Sequence, residues 1–74
     1  MKLSAFRTRR DLAIYPNQEI PGRFNRYGSL VQVTRYADQQ AKRVYEVDEE
    51  HMLYREADLT KVPAVMGEWK PLEP

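Results

Sequence analysis

The chain has 74 residues, no cysteine, one histidine and a formal net charge of +1. This length allows one small domain with a thin core, and the composition excludes disulfides, thiolate metal sites, thiol nucleophiles and any site that needs two imidazoles. No apolar run approaches the roughly 20 residues of a membrane span, and arginines interrupt any leader-like segment near the N-terminus. We therefore expect a cytoplasmic protein with neither a cofactor nor a membrane segment.

The first third of the chain combines one short apolar run with several turn-forming residues. Leu12–Tyr15 predicts a short strand. Pro21–Gly22 suits the two central positions of a type II turn, and Asn25 and Gly28 indicate a further bend. We therefore expect no central strand between Pro16 and Gly28.

The middle of the chain carries the clearest strand pattern. In Leu30–Tyr36, Val31 and Val33 alternate with polar residues, which is the period of two expected for a half-buried strand. Val44–Val47 is a second β-branched and aromatic run. The polar segment Ala37–Lys42 lies between them and predicts a hairpin connection.

The last third predicts strands at Met52–Tyr54 and Ala64–Trp69. The segment from Asp48 to Asp58 has two interpretations. It forms either an acidic turn followed by a strand, or a short helix that Asp48 caps and that carries acidic residues in its first turn. Residues 1–70 are expected to form the single domain, with 71–74 as a flexible C-terminal tail.

The segment from Ser29 to Val62 resembles a small SH3-like barrel of the Tudor or KOW type. The pattern reads SLVQVTRY, ADQQAK, RVYEV, DEE, HMLYR and EADL, closed by Val62. The resemblance implies a mainly β fold, a partly open barrel of about five short strands. It also implies a binding module for peptides, protein surfaces or nucleic acids. The acidic turn departs from the pattern because it has no glycine for a positive φ.

A core for this fold is predicted from the apolar positions of the strands and of the closing segment. Trp69 is expected to close that core, with an interaction hot spot as the alternative. The expected core residues are Leu12, Ile14, Val31, Val33, Val44, Val47, Leu53, Leu59, Val62 and Val65.

Charge is unevenly distributed along the chain. Residues 1–43 contain nine Lys or Arg and three Asp or Glu, whereas residues 44–74 contain three and eight. Such separation either steers docking onto a polarised partner or disappears when strands from the two halves lie side by side. An N-terminal cluster of arginines suits phosphate binding or a solvated edge strand. Its members are Arg7, Arg9 and Arg10.

No set of residues suits catalysis or metal binding. The acidic run at Asp48 lacks the spacing of a calcium loop, and His51 has no positioned nucleophile near it in the sequence. The segment Arg23–Gly28 interleaves cations with aromatics, as hot spots and base-stacking loops do. The predicted partner-binding residues are Arg23, Arg26, Tyr27, Arg35, Tyr36 and Tyr54.

The sequence therefore predicts a non-catalytic regulator or adaptor that docks on a larger protein machine. The transcription or translation apparatus is one such machine, and a host enzyme bound by a phage-type modulator is another. Two alternatives remain open: a nucleic-acid-binding module that uses the Arg and aromatic loop, and a small structural subunit of a complex.

Overall fold

A computed structural model describes residues 1–74 and has one antiparallel sheet with one short helix. The five strands follow each other in chain order, so the sheet is an open meander. This confirms the predicted mainly β class, and the SH3-like resemblance stays a prediction. The elements are α1 Leu3–Thr8, β1 Ala13–Phe24, β2 Leu30–Asp38, β3 Arg43–Asp48, β4 Leu53–Asp58 and β5 Lys70–Pro71.

Strand β1 lies at one edge of the sheet and is twice interrupted. Its pairing with β2 shifts between Tyr15 and Gln18 and again between Glu19 and Phe24. Pro21–Gly22 lies inside the second irregularity instead of forming the predicted turn, because the strand continues on both sides of it. Gly22 has a φ of +78° there, which glycine adopts at little cost. As expected, no central strand runs through this segment, since proline is tolerated at an edge.

One face of the sheet is covered by α1, a helix that the sequence analysis did not predict. Phe6 is 1% exposed and is the only buried residue of this helix. Its ring lies 5.2 Å from the rings of Tyr36 and Tyr45 and 6.1 Å from that of Tyr54. The helix has six residues and no side-chain cap, so tertiary packing and not helix propensity holds it in place.

The opposite face carries a second, smaller apolar cluster. Ile20, Val31 and Val33 are buried there, and the half-buried Trp69 packs against them. The two clusters follow from the period of two in β2, because Val31 and Val33 point away from the face that Tyr36 occupies. Trp69 therefore closes part of the core, as expected.

The segment from Asp48 to Asp58 forms a hairpin, and the helix interpretation is wrong. Asp48 ends β3, and its side-chain oxygen accepts a hydrogen bond from the backbone N–H of His51 at 3.1 Å. This is the local bond by which Asp stabilises turns as readily as helix starts. Met52, with a φ of +52°, supplies the left-handed residue for which the sequence offers no glycine.

The apolar residues predicted as core divide into three groups. Four are buried, namely Leu12, Val31, Val33 and Val47, and two are half-buried, namely Val44 and Leu53. For the other four the prediction is wrong: Ile14, Leu59, Val62 and Val65 are 53%, 48%, 97% and 71% exposed. The first belongs to the edge strand, and the last three lie beyond β4, where the chain leaves the sheet.

The C-terminal part departs from two expectations. The strand predicted at Ala64–Trp69 is wrong, because that segment is irregular and β5 comprises only Lys70–Pro71. Residues 71–74, expected as a flexible tail, lie against the sheet and the N-terminal segment. Leu72 is 6% exposed, and its N–H donates to the carbonyl of Met52 at 2.8 Å.

Candidate interaction surface

The face of the sheet opposite α1 is called the open face, because no helix covers it. An open groove of about 420 Å³ lies on it. Cross-strand pairing places Arg35, Glu46 and Arg55 side by side across three strands in this groove. The rest of the lining is mostly apolar, and the apolar wall comprises Ile20, Pro21, Ala37, Val44, Leu59 and Met66.

Glu46 is a buried carboxylate held between two guanidinium groups. Its side chain is 4% exposed, and its oxygens accept from Arg35 Nη2 at 3.0 Å and from Arg55 Nε at 2.7 Å. A buried carboxylate needs such partners, because its desolvation is not otherwise compensated. The two arginine side chains are 43% and 23% exposed, so the charge that these three residues present to solvent is positive.

Trp69 lies beside this ion pair and contacts two arginines through its ring. The guanidinium carbons of Arg23 and Arg55 are 4.5 and 4.6 Å from the ring centroid. Cation–π contact at this distance stabilises the orientation of both groups. The indole thus links the groove to the neighbouring part of the open face, where Arg23 lies.

Asp48 is a second buried carboxylate and has a structural role. It is completely buried, and its Oδ2 lies 2.9 Å from His51 Nδ1 and 3.6 Å from Arg23 Nη2. Arg23 Nη1 is buried without a hydrogen-bond partner. The open face therefore repeats one arrangement, in which a buried carboxylate lies within 4.0 Å of at least one partly exposed arginine.

An exposed apolar loop borders the groove. It comprises residues 59–66, and its members Leu59 and Met66 also line the groove wall. Val62 and Val65 are 97% and 71% exposed. The loop thus connects two residues of the groove wall through two exposed valines, and exposed apolar surface of this kind marks interaction sites in small domains.

The hairpin between β1 and β2 ends in an aromatic tip, defined as Phe24, Arg26 and Tyr27. Phe24 and Tyr27 are 64% and 72% exposed, and the guanidinium carbon of Arg26 lies 4.9 Å from the tyrosine ring centroid. The side-chain oxygen of Asn25 accepts hydrogen bonds from the N–H groups of Tyr27 and Ser29 at 2.9 and 3.1 Å. This turn confirms the predicted bend and presents both rings to solvent.

The six predicted partner-binding residues fall into three places. Arg23 and Arg35 lie on the open face, and Arg26 and Tyr27 belong to the aromatic tip. Tyr36 and Tyr54 are 5% and 8% exposed beneath Phe6. Burial raises the pKa of the Tyr36 hydroxyl. These two tyrosines cannot contact a partner unless the core opens, so neither belongs to the exposed surface of the protein.

Two residues of the open face, Glu46 and Arg55, were not predicted as site residues from the sequence, and for Trp69 an interaction role was only the alternative to a core role. The signal for Glu46 was present, because it lies between Tyr45 and Val47 in a strand and must point to the other face. No local sequence pattern indicates that the loop is exposed, since Val62 and Val65 are equally typical of a buried core.

The uneven charge of the sequence is neutralised by the fold. Basic residues of the N-terminal half pair with acidic residues of the C-terminal half, as in Arg7–Glu49 at 3.0 Å and Arg35–Glu46. Of the arginines, only Arg10 and Arg26 have no carboxylate within 4.0 Å. Residues from the two halves of the chain therefore lie side by side in the fold. This confirms the second of the two interpretations of the uneven charge, in which the separation disappears on folding.

The predicted N-terminal phosphate-binding cluster is largely occupied by internal ion pairs. Arg9 donates to Asp38 Oδ2 through Nη2 at 2.8 Å and to Asp11 Oδ1 through Nε at 3.1 Å. The pKa of Asp38 is lowered by the backbone N–H of Ala41, which donates to it, and by the Arg9 guanidinium. The hydrogen bonds that the Arg9 guanidinium donates to Asp11 and Asp38 raise its pKa. These contacts hold the segment after α1 against the end of β2.

Nothing in the chain is arranged as a metal centre, since no three His, Asp or Glu side chains come together with a suitable geometry. No helix is long and apolar enough to cross a membrane. Comparison with models of protein families, with curated proteins and with solved structures finds no match. The assignment of function therefore depends on the residues themselves.

Proposed function

We propose that this protein is a non-catalytic binding module that docks on a larger protein through the open face. The observation that carries the proposal is the exposure of apolar side chains beside a groove. Val62 and Val65 are 97% and 71% exposed, and leaving such groups in water forfeits the stabilisation that burial gives. A partner that covers the loop and the groove would recover it.

The ion pairing of the arginines favours a protein partner over a nucleic acid. Phosphate backbones are bound by clusters of accessible cations, whereas here most arginines already face a carboxylate. A surface that combines apolar groups, arginine and exposed aromatics has the composition of protein hot spots. The aromatic tip extends this composition along the molecule.

The biological setting expected from the sequence is part of the same proposal. The module would act in the cytoplasm as a regulator or adaptor of a larger assembly such as the transcription or translation apparatus. A role as a small structural subunit would use the same surface, and it differs only in that the association would be permanent.

Capture of the partner from a lysate of the source cells tests the proposal. Tagged wild-type protein is compared with the variant Val62→Asp/Val65→Asp, with and without nuclease. Ile14→Asp is the matched control, because Ile14 is also exposed and apolar but lies on the edge strand β1 opposite Tyr36, on the side of the sheet that α1 covers. Each variant is checked for folding by thermal unfolding, and neither should shift the midpoint strongly, since exposed positions tolerate substitution.

The expected result is one stoichiometric protein that survives nuclease, remains with Ile14→Asp and is lost with the double variant. Capture that disappears on nuclease treatment and weakens steeply between about 50 and 200 mM salt would instead identify the nucleic-acid module. Capture that the double variant retains in full would show that the open face is not the docking surface.

A further inference from the structure

We infer that the groove binds a partner segment that carries apolar side chains and one carboxylate, and that Arg35 receives this carboxylate. The inference rests on the proposed function and specifies the chemistry of the partner. It draws on three properties of the groove, namely its apolar wall, the free donors of Arg35 and the burial of Glu46.

The wall of the groove selects apolar side chains. Ile20, Val44 and Met66 lie on it, and the exposed Val62 and Val65 follow directly along the loop. A groove of about 420 Å³ that is open to solvent has room for a few side chains of a peptide segment and not for a folded domain. An apolar segment is therefore the occupant whose burial this wall favours.

Arg35 is the polar anchor that the groove offers. It uses one nitrogen, Nη2, to bind Glu46, whereas a guanidinium has five N–H donors. Its side chain is 43% exposed, so the remaining donors are open to a ligand. Arg55 is less available, because it contacts Glu46 through both Nε and Nη2 and also lies against Trp69.

The distribution of charge favours a carboxylate and limits its number. Glu46 is almost fully buried beneath the arginines, so an incoming group meets the guanidinium first. Glu19 is the other carboxylate of the lining, and it is exposed on β1. It would repel a strongly acidic segment, so a single Asp, Glu or terminal carboxylate among apolar residues fits best.

The test is a selection of random dodecapeptides displayed on phage against the full chain. Wild type, Arg35→Gln and Val62→Asp/Val65→Asp are used in parallel. One enriched peptide is then synthesised with its acidic residue and with the matching amide, and both are titrated by fluorescence anisotropy. Arg35→Lys is a second variant, which keeps the charge and loses the planar fork of donors.

We expect enrichment of apolar peptides with one acidic residue on the wild type, and none on the double variant. Changing the peptide carboxylate to an amide should weaken binding to the wild type about tenfold, as loss of a charge-assisted hydrogen bond does. On Arg35→Gln the same change should matter less than about twofold.

Other outcomes would overturn the inference alone or together with the proposed function. Enriched apolar peptides without acidic residues, bound equally by Arg35→Gln, would overturn the inference and leave the docking function standing. Peptides that bind the double variant as well as the wild type would count against both. If Arg35→Gln fails to fold, the carboxylate-to-amide comparison on wild type and Arg35→Lys decides, because equal affinity of the two peptides for wild type would overturn the role of Arg35.

Discussion

The two faces of the sheet are built from the same strands and stabilised in different ways. On the face under α1, Phe6 and three tyrosines form a cluster from which water is excluded. On the open face, two buried carboxylates lie under arginines that remain partly exposed. The chain is too short to cover both faces of the sheet with further elements. The open face stays accessible because partly exposed arginines, and not a second helix, cover its buried carboxylates.

The covered and open faces also differ in what their contacts contribute to stability. Burial of aromatic surface favours folding directly. A buried ion pair contributes less to stability, because the cost of desolvating both charges offsets their attraction. Removing only one of the two partners is costly, because the other charge then remains buried and unpaired. We therefore expect the covered face to determine most of the free energy of unfolding, and the open face to determine what the protein binds.

The largest loss of stability is expected from the substitution Phe6→Ala. Phe6 is 1% exposed and contacts Tyr36 and Tyr45, and loss of a buried phenylalanine side chain costs about 3–5 kcal/mol. Urea unfolding should show a native state that is barely populated. Phe24→Ala removes the same side chain from an exposed position and should change stability by less than about 0.5 kcal/mol. Similar costs for the two variants would contradict the assignment of the core.

A smaller loss of stability is expected from Asp48→Ala on the open face. Asp48 is fully buried and binds the N–H and ring of His51, so its removal should cost about 2–3 kcal/mol. Glu49→Ala is the control at the next position, where an exposed pair with Arg7 is lost at a cost of about 0–1 kcal/mol. Equal midpoints for both variants in urea would mean that the buried carboxylate does not stabilise the turn.

The smallest loss of stability is expected from Asp38→Asn, which weakens the contact of residue 38 with the segment that follows α1. Because the pKa of Asp38 is lowered in the folded state, its carboxylate stabilises the fold above the ordinary value of about pH 4. That contribution is lost as the pH falls through the folded-state pKa. Wild type should therefore be more stable than Asp38→Asn at neutral pH in urea unfolding, and the difference should shrink below about pH 4.

Glu68→Gln is the control for this experiment, since Glu68 is exposed and forms no ion pair. It should match wild type at every pH. A difference between wild type and Asp38→Asn that stays constant into acid would show that the carboxylate acts through packing and not through its charge.

The strands were predictable where burial alternates along the chain. Leu30–Tyr36 and Val44–Val47 both fall within strands of the structure, because one side of each strand is always against a core. The position of Glu46 on the opposite face follows from the same alternation. Arg23, Arg26 and Tyr27 were predictable as surface groups from the turn residues that surround them.

The remaining features depend on contacts between distant segments. Helix α1 is held by one phenylalanine against tyrosines from three strands, and no local pattern reports such packing. The exposure of Val62 and Val65 depends on where the chain leaves β4. Tyr36 and Tyr54 are buried because α1 lies above them, so the missed helix also accounts for their assignment as surface residues.

Trp69 gives the molecule a built-in optical label. It is the only tryptophan of the chain, and it lies on the open face between the guanidinium groups of Arg23 and Arg55. The aromatic cluster of the covered face contains only phenylalanine and tyrosine. Excitation at the red edge of the indole band therefore follows the open face alone, and occupation of the groove can be read from unmodified protein through the intensity and quenching of one fluorophore.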